Sequence, residues 1–420
     1  MKQVIRYSMI GALCIGLFAC SAPKQEDNNL EVIPIEAAFA NQQELKASDY
    51  FRKVRYVRLE TSDSCLIGGK PTVRISGDKL IINAVNAGIR DQCYAFDKNT
   101  GRFIAPLGHI GNDPQGALNL DGWINDASGR IYFSAGDAKY VVYDLEGNFQ
   151  GRITYPDKSK GFFGQTHFSY LDKDVCVTHS LSSGNKPERI LLFNDSVKIS
   201  QFDFPYDKTD SISGDAGSIL SIHVLSPLAG KHLLMHIFYK DQKQAVFNMT
   251  TQPFWRVQDK LYFKREFNDT IYQVTEQGLY PERRFDFGSL RWDRQDRLDP
   301  EKDEAAYPVD VFENEHFVFL RFVLNLLHRE KWEAYNVFYN KKNGEVKVSP
   351  FEDGITNDLN HFMPLQPTTQ SASGEWAQII QAEKVVEWFE EQDDISNLPE
   401  EIQALRQTDP DDNPIVAIME

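Results

Sequence analysis

Nine histidines are the side chains best suited to acid–base or metal chemistry in this chain: His109, His167, His179, His223, His232, His236, His316, His328 and His361. None stands in a His-Glu-x-x-His pair, and neither a Gly-x-Ser-x-Gly elbow nor a P-loop occurs. An isolated histidine is ordinarily a surface or hydrogen-bonded core residue, so no catalytic residue and no metal ligand is assigned from spacing. Asp113, Asp121, Asp126 and Asp137 lack the dense oxygen spacing of a calcium loop, and turn formation accounts for them. Trp123, Trp255, Trp292 and Trp332 could stack on a sugar ring, although buried packing is the commoner fate of tryptophan. The richest local concentration is LGHIGNDPQGALNLDG, residues 107–122, with four glycines and a proline. Here His109, Asn112, Asp113 and Asp121, with Trp123 just beyond, are the expected ligand-binding residues.

A loop of this kind needs strands on either side to hold it. Residues 131–153, IYFSAGDAKYVVYDLEGNFQGRI, read as short β-branched and aromatic strands separated by glycine turns. A weaker copy leads through Cys93-Tyr94-Ala95-Phe96-Asp97 to Gly101 and Phe103-Ile104, and matching Asp97 to Asp144 gives a period of 47 residues. Arg189-Ile190-Leu191-Leu192-Phe193-Asn194 repeats the pattern 50 residues after Asp144. Strand-and-turn repeats of this length are the signature of propeller blades. Hairpins are expected across Ser76-Gly77-Asp78 and Ala127-Ser128-Gly129, and degraded copies at 233–247, 260–274 and 317–344. The expected fold is all-β: a β-propeller of about six blades with short C-terminal helical caps. The alternating strand in FRKVRYVRLE and the apolar run 414–419 lie at opposite ends of the chain. Pairing strands from the two ends in one blade closes a propeller ring and removes sheet edges.

Two stretches break the β pattern. Residues 291–306 are charged, and Pro300-Glu301-Lys302-Asp303 has the form of a helix start. In 374–391 the spacing of Trp376, Ile379, Ile380, Val385, Val386, Trp388 and Phe389 predicts an amphipathic helix. A second short helix is expected over 398–405, giving a helical segment near 374–406. The polar face of the first is acidic, which argues against a helix lying on a membrane surface.

The chain has 45 Lys and Arg against 61 Asp and Glu, a net charge of −16. Clustered positive charge is what phosphate binding needs, so no nucleic acid partner is expected. At the N-terminus Lys2 and Arg6 precede an apolar run, 9–18, and then Ala19-Cys20. That run is too short to span a bilayer and has the flanks of a signal peptide. The expected division is a lipoprotein signal peptide at 1–19, a flexible tether at 20–29, and a single propeller domain at 30–420. Cys20 is the expected lipidation site and membrane the expected partner through it. Cys65, Cys93 and Cys176 remain, so at most one disulfide forms.

Taken together, Leu17-Phe18-Ala19-Cys20, RYVRLET at 55–61, Phe96-Asp97…Gly101…Phe103-Ile104 and Asn413-Pro414-Ile415-Val416 resemble the six-bladed β-propeller lipoproteins of Bacteroidota. Those are related in fold to NHL-type propellers. The family commonly carries Gly-x-Gly-Pro-Gly-Glu-Tyr after its first blade. Here Gly111-Asn112-Asp113-Pro114-Gln115-Gly116-Ala117 keeps the proline and lacks the Glu and Tyr. Because a propeller ring gathers several loops around one concave face, the expected function is a lipid-anchored, envelope-located scaffold at the outer membrane that binds a glycan or an envelope protein, with no cofactor. Its alternative is a metal-dependent NHL-type lyase or hydrolase acting on a surface glycan or peptide. In that reading distant histidines would meet as metal ligands in the central channel.

Overall fold

The computed structural model describes residues 30–84, 91–157, 166–182, 186–205, 218–225, 228, 234–242, 244–248, 252–297 and 304–420. Four-stranded antiparallel meanders form at 72–106, 123–154, 166–203, 254–286 and 307–350, here blades 1 to 5. Blade 6 joins Thr369–Gln370, Trp376–Ile380 and Ile415–Met419 to Val54–Arg58 from the other chain end. Val57 stands opposite Val416 in that closing pair, as the end-to-end patterning leads one to expect.

The blades are strands because alternate residues are apolar on both faces, and each face is buried against a neighbour. Ile81 and Ala95 of blade 1 pack on Phe133 and Val141 of blade 2. Val142 and Tyr132 meet Phe168 and Leu191 of blade 3, whose Ile190 and Leu192 meet Leu261 and Phe263 of blade 4. Ile271 packs with Phe322 and Val337 of blade 5, Phe319 and Phe338 with Trp376 of blade 6, and Val416 and Ile418 with Val73 and Leu80 of blade 1. Six such interfaces make a closed ring.

The count of six stands, but one member differs from the sequence expectation. The copy expected at 233–247 lies instead in a three-stranded sheet, Ile219–Leu225, Leu234–Tyr239 and Gln244–Asn248, inserted between blades 3 and 4. Blades 3 and 4 already pack directly on each other, so no place in the ring is left for it. Its outer strand keeps Leu220, Ile222 and Val224 exposed.

The expected helix over 374–391 is half strand. Trp376–Ile380 is the second strand of blade 6, and only Ala382–Glu390 is helical, followed by Glu400–Gln403. An interior strand buries both faces, and a short apolar run of that kind shows no period to separate it from a helix face. Among the described residues of 291–306 the helical part is the single turn Arg294–Asp296, and the expected start at Pro300 lies outside the described residues.

The two ends of the ring are unequal. Where inner strands finish, hairpins such as 77–78, 195–196 and 258–259 are tight; where they begin, connections are long and include 107–122, 351–368 and the helical 381–414. We call these the turn face and the loop face. Glu31–Pro34 adds a fifth strand to blade 4, parallel to Gly278–Asp286, and so runs from the turn face toward the loop face. The turn-face end of the axis is stitched shut. Gln258 N of blade 4 donates to Ala372 O of blade 6 at 3.0 Å, and Gln370 Nε2 to Arg256 O at 2.6 Å. Blades 4 and 6 are not ring neighbours, so these bonds cross the axis.

Candidate functional site

Three of the expected ligand-binding residues share one ordered loop. His109 Nε2 lies 2.7 Å from Asp113 Oδ2, and Gln115 N donates to Asp113 Oδ1 at 2.8 Å. The hydrogen bond from His109 holds the Asp113 carboxyl below the ordinary aspartate range. A bridge between Ile110 and Ala117 pinches the loop, and Tyr143 Oη donates to Gln115 O at 2.7 Å. Gly116 permits that pinch, since a Cβ there would lie 2.3 Å from Gly111 O. His109, Asn112 and Asp113 are all exposed on this loop. Asp121 is exposed but turned to Arg74, 3.5 Å away.

Trp123 does not join them. It is buried, stacked 4.0 Å from Tyr132 and 5.1 Å from Phe168, and forms part of the seam between blades 2 and 3. The next-strand position that made it look like part of the loop also places it in the interface. Trp255 and Trp292 are buried too, so the tryptophans form no common platform. The aspartates also part company, because Asp126 lies on the turn face and accepts from Tyr170 Oη at 2.9 Å. Cys65, Cys93 and Cys176 are free and buried.

The histidines are spread in the same way. His316, His328 and His361 are exposed and separate, and His236 bonds Gln244 Oε1 at 2.8 Å. His232 lies outside the described residues. Among the described residues no three His, Cys, Asp or Glu side chains converge in a group that could hold a metal. The described residues thus offer no ligand set for the metal-dependent reading, and no step is derived through an ion.

Two histidines do come together near the axis. His167, on the inner strand of blade 3, stacks nearly parallel to His179 on the next strand, with ring centroids 6.0 Å apart. Burial, with the His179 ring alongside, pushes His167 down to about 3. Together they line a cavity of about 40 Å³ with Gln252, Trp255, Lys264 and Tyr307 among its other walls. His167, Gln252 and Tyr307 stand at the beginnings of inner strands, which places the cavity on the loop-face side of the stitched end.

Behind the cavity lies a buried charge cluster. Glu188 accepts from His179 Nε2 at 2.9 Å, Arg265 Nε at 2.7 Å and Arg294 Nη2 at 3.1 Å. Burial alone would raise the Glu188 carboxyl, but these partners outweigh it and hold it well below the usual range. His179 Nδ1 is buried and has no hydrogen-bond partner among the described residues. Lys264, also buried, has its Nζ 3.3 Å from Arg265 O, a long contact for an ammonium. Sequence reasoning missed Lys264, Gln252 and Glu188. They come from different blades, and no local motif joins them.

A protein described as exported from Bacteroides fragilis is similar in structure, with a TM-score of 0.61 at 14% identity over 93% of this chain and 99% of that one. A member of the DUF4221 family from Bacteroides vulgatus aligns with a TM-score of 0.40 at 8% identity, over 90% of this chain and 98% of that one. At these identities the likeness of the first concerns the fold alone, and the second adds no argument. Comparison with curated proteins gives no match. The profile of the family described as Domain of unknown function (DUF4934) matches residues 30–420, and the chain belongs to that family.

Proposed function

We propose that this chain is a lipid-anchored, cell-envelope β-propeller of the NHL-like kind that acts as a binding scaffold, with its loop face as the recognition surface. The observation that carries this reading is the closed turn-face end of the axis, where Gln258 and Gln370 bond across from blade 4 to blade 6 and Arg256 Nη1 reaches Tyr170 O at 2.6 Å. Approach to the axis is left to the loop face, which also carries the ordered loop of His109, Asn112 and Asp113. The anchor rests on Cys20 and its apolar leader, and the exported neighbour from Bacteroides fragilis is in keeping with an envelope location. No described helix is long and apolar enough to cross a membrane, so lipid on Cys20 would supply the attachment. We place it at the outer membrane, with a surface glycan or an envelope protein as partner.

Between 381 and 413 eleven acids face two bases, a net of −9 within the chain's −16. This part of the loop face would be repelled by anionic lipid and is better suited to face away from the membrane. The test has two arms. Palmitate labelling and cell fractionation compare the full chain with Cys20→Ala, and the variant is expected unlabelled and released from the membrane. Binding of purified surface polysaccharide and of envelope proteins is then compared for Asp113→Lys on the loop face and Lys342→Glu on the turn face. Loss in the first alone supports the reading; loss in the second alone overturns it.

A further inference from the structure

The outermost strand of every ring blade is guarded against pairing with another chain. Each carries a proline or a charge, in blade order Pro106, Arg152, Lys198, Pro34, Lys347 and Arg55. Those are the ordinary devices that keep sheet edges apart. Ile219–Leu225, the outer strand of the inserted sheet, has neither. It pairs with Leu234–Tyr239 on one side, and no strand among the described residues pairs with its other side. Along it Leu220, Ile222 and Val224 are 68%, 42% and 54% exposed.

The strand is also its own complement. Ile-Leu-Ser-Ile-His-Val-Leu has the same order of apolar and polar residues from either end. Laid antiparallel on a second copy about a two-fold axis at Ile222, it sets Ile222 against the second copy's Ile222, Leu220 against Val224, and Ser221 against His223. Apolar side chains then stand opposite apolar ones, which is the arrangement that stabilises a strand pair. The register shift between Ile219 and Ser221 lies at the rim of this pairing. A two-fold contact brings each charged patch close to its own kind, so in a chain of net −16 an uncharged edge is where two copies meet without repulsion. Charges elsewhere are screened beyond about 8 Å at physiological ionic strength. A pair of seven-residue strands, about 24 Å long, is small beside the roughly 800 Å² per partner of a stable complex. The dimer is therefore weak in dilute solution and favoured where chains are crowded.

We propose that Ile219–Leu225 is a self-association edge, on which a second copy of this chain pairs antiparallel about Ile222 and joins two three-stranded sheets into one. Sedimentation equilibrium of the purified full chain, over a concentration series up to millimolar, is expected to show a monomer–dimer equilibrium that tightens as salt is raised. Ile222→Lys sets two ammonium groups against each other and should weaken the dimer tenfold or more. Val197→Lys, at an equally exposed position on the outermost strand of blade 3, should leave it unchanged. Thermal unfolding reports whether each variant is folded. Ile222→Cys is expected to form a disulfide-linked dimer on mild oxidation that neither the parent nor Val224→Cys forms, because equal positions meet only at the two-fold axis. A chain that stays monomeric throughout, a dimer untouched in folded Ile222→Lys or lost in folded Val197→Lys, or Val224→Cys linking as readily as Ile222→Cys would each overturn the proposal. A monomer that instead takes up a synthetic peptide of residues 219–225 would give the edge to another protein's strand. Self-pairing does not involve the loop at His109, so Asp113→Lys should leave it unchanged, and the scaffold reading stands or falls separately.

Discussion

His179 Nε2 and Glu188 Oε1 lie 2.9 Å apart with both side chains buried, one at the end of a strand and the other in the connection that returns to the next. The pair fixes the ring orientation that turns Nδ1 away from the carboxylate. It also carries stability. Removing one partner from a buried, hydrogen-bonded charge group costs about 3–5 kcal/mol, so Glu188→Gln should unfold at clearly lower urea than the parent.

That stabilisation should depend on pH in one direction. Glu188 is held below its ordinary value of 4.5, so its contribution is complete above that pH and is lost as pH falls further. The stability gap between the parent and Glu188→Gln should be constant from about pH 6 to 8 and shrink below about pH 4.5. Denaturation curves at each pH measure it. A gap that stays constant down to the acid transition would show that the carboxylate is not carrying the effect.

Gly101 closes a turn of blade 1 against blade 6 with φ at +73°, and a Cβ there would lie 1.9 Å from Arg58 O. Gly129 has a similar φ of +64° but open space around it. Gly129→Ala should therefore cost only the backbone strain, about 1–2 kcal/mol. Gly101→Ala must in addition push two blades apart and should lower the unfolding midpoint far more. Equal effects in thermal unfolding would refute the close approach.

Trp376 is fully buried where the closing blade meets blade 5, with its ring 5.6 Å from Phe338 and 5.2 Å from Phe51. Trp376→Ala is expected to cost about 3–5 kcal/mol, by urea unfolding. The same substitution at a helix-surface tryptophan would cost far less, so the result also tests the strand assignment of Trp376–Ile380.

The loop at His109 is a different case, because both members of its ion pair are half exposed. His109→Ala and Asp113→Asn should leave the unfolding midpoint unchanged, since surface pairs contribute little. Any loss of ligand binding in these variants, checked by titration against surface polysaccharide, then reports recognition rather than folding.

Much of the architecture is legible in local spacing. Asp97, Asp144 and Asn194 each end the third strand of a blade. In the first two, the carboxylate accepts from backbone N–H groups of the following turn: Asn99 and Thr100 in one, Glu146 and Asn148 in the other. Such turns are made by residues two to four apart, so they leave a mark in sequence, and their period of 47 residues marks the blade. The loop holding His109, Asn112 and Asp113 is equally local, and its glycines announce it.

By itself, then, the sequence determined the strands, the turns, the repeat and the strand pair that closes the ring, because each depends on near neighbours or on matched chain ends. Only the tertiary structure decided which strands belong to the ring, since membership depends on what already fills the seam, as Ile190 and Phe263 fill the one between blades 3 and 4. It also took Trp123 from the loop into a seam, closed the axis at Gln258 and Ala372, and gathered His167, His179 and Lys264 around one cavity. Those relationships join residues on separate strands and blades through packing, and packing between distant segments has no period for a sequence to display.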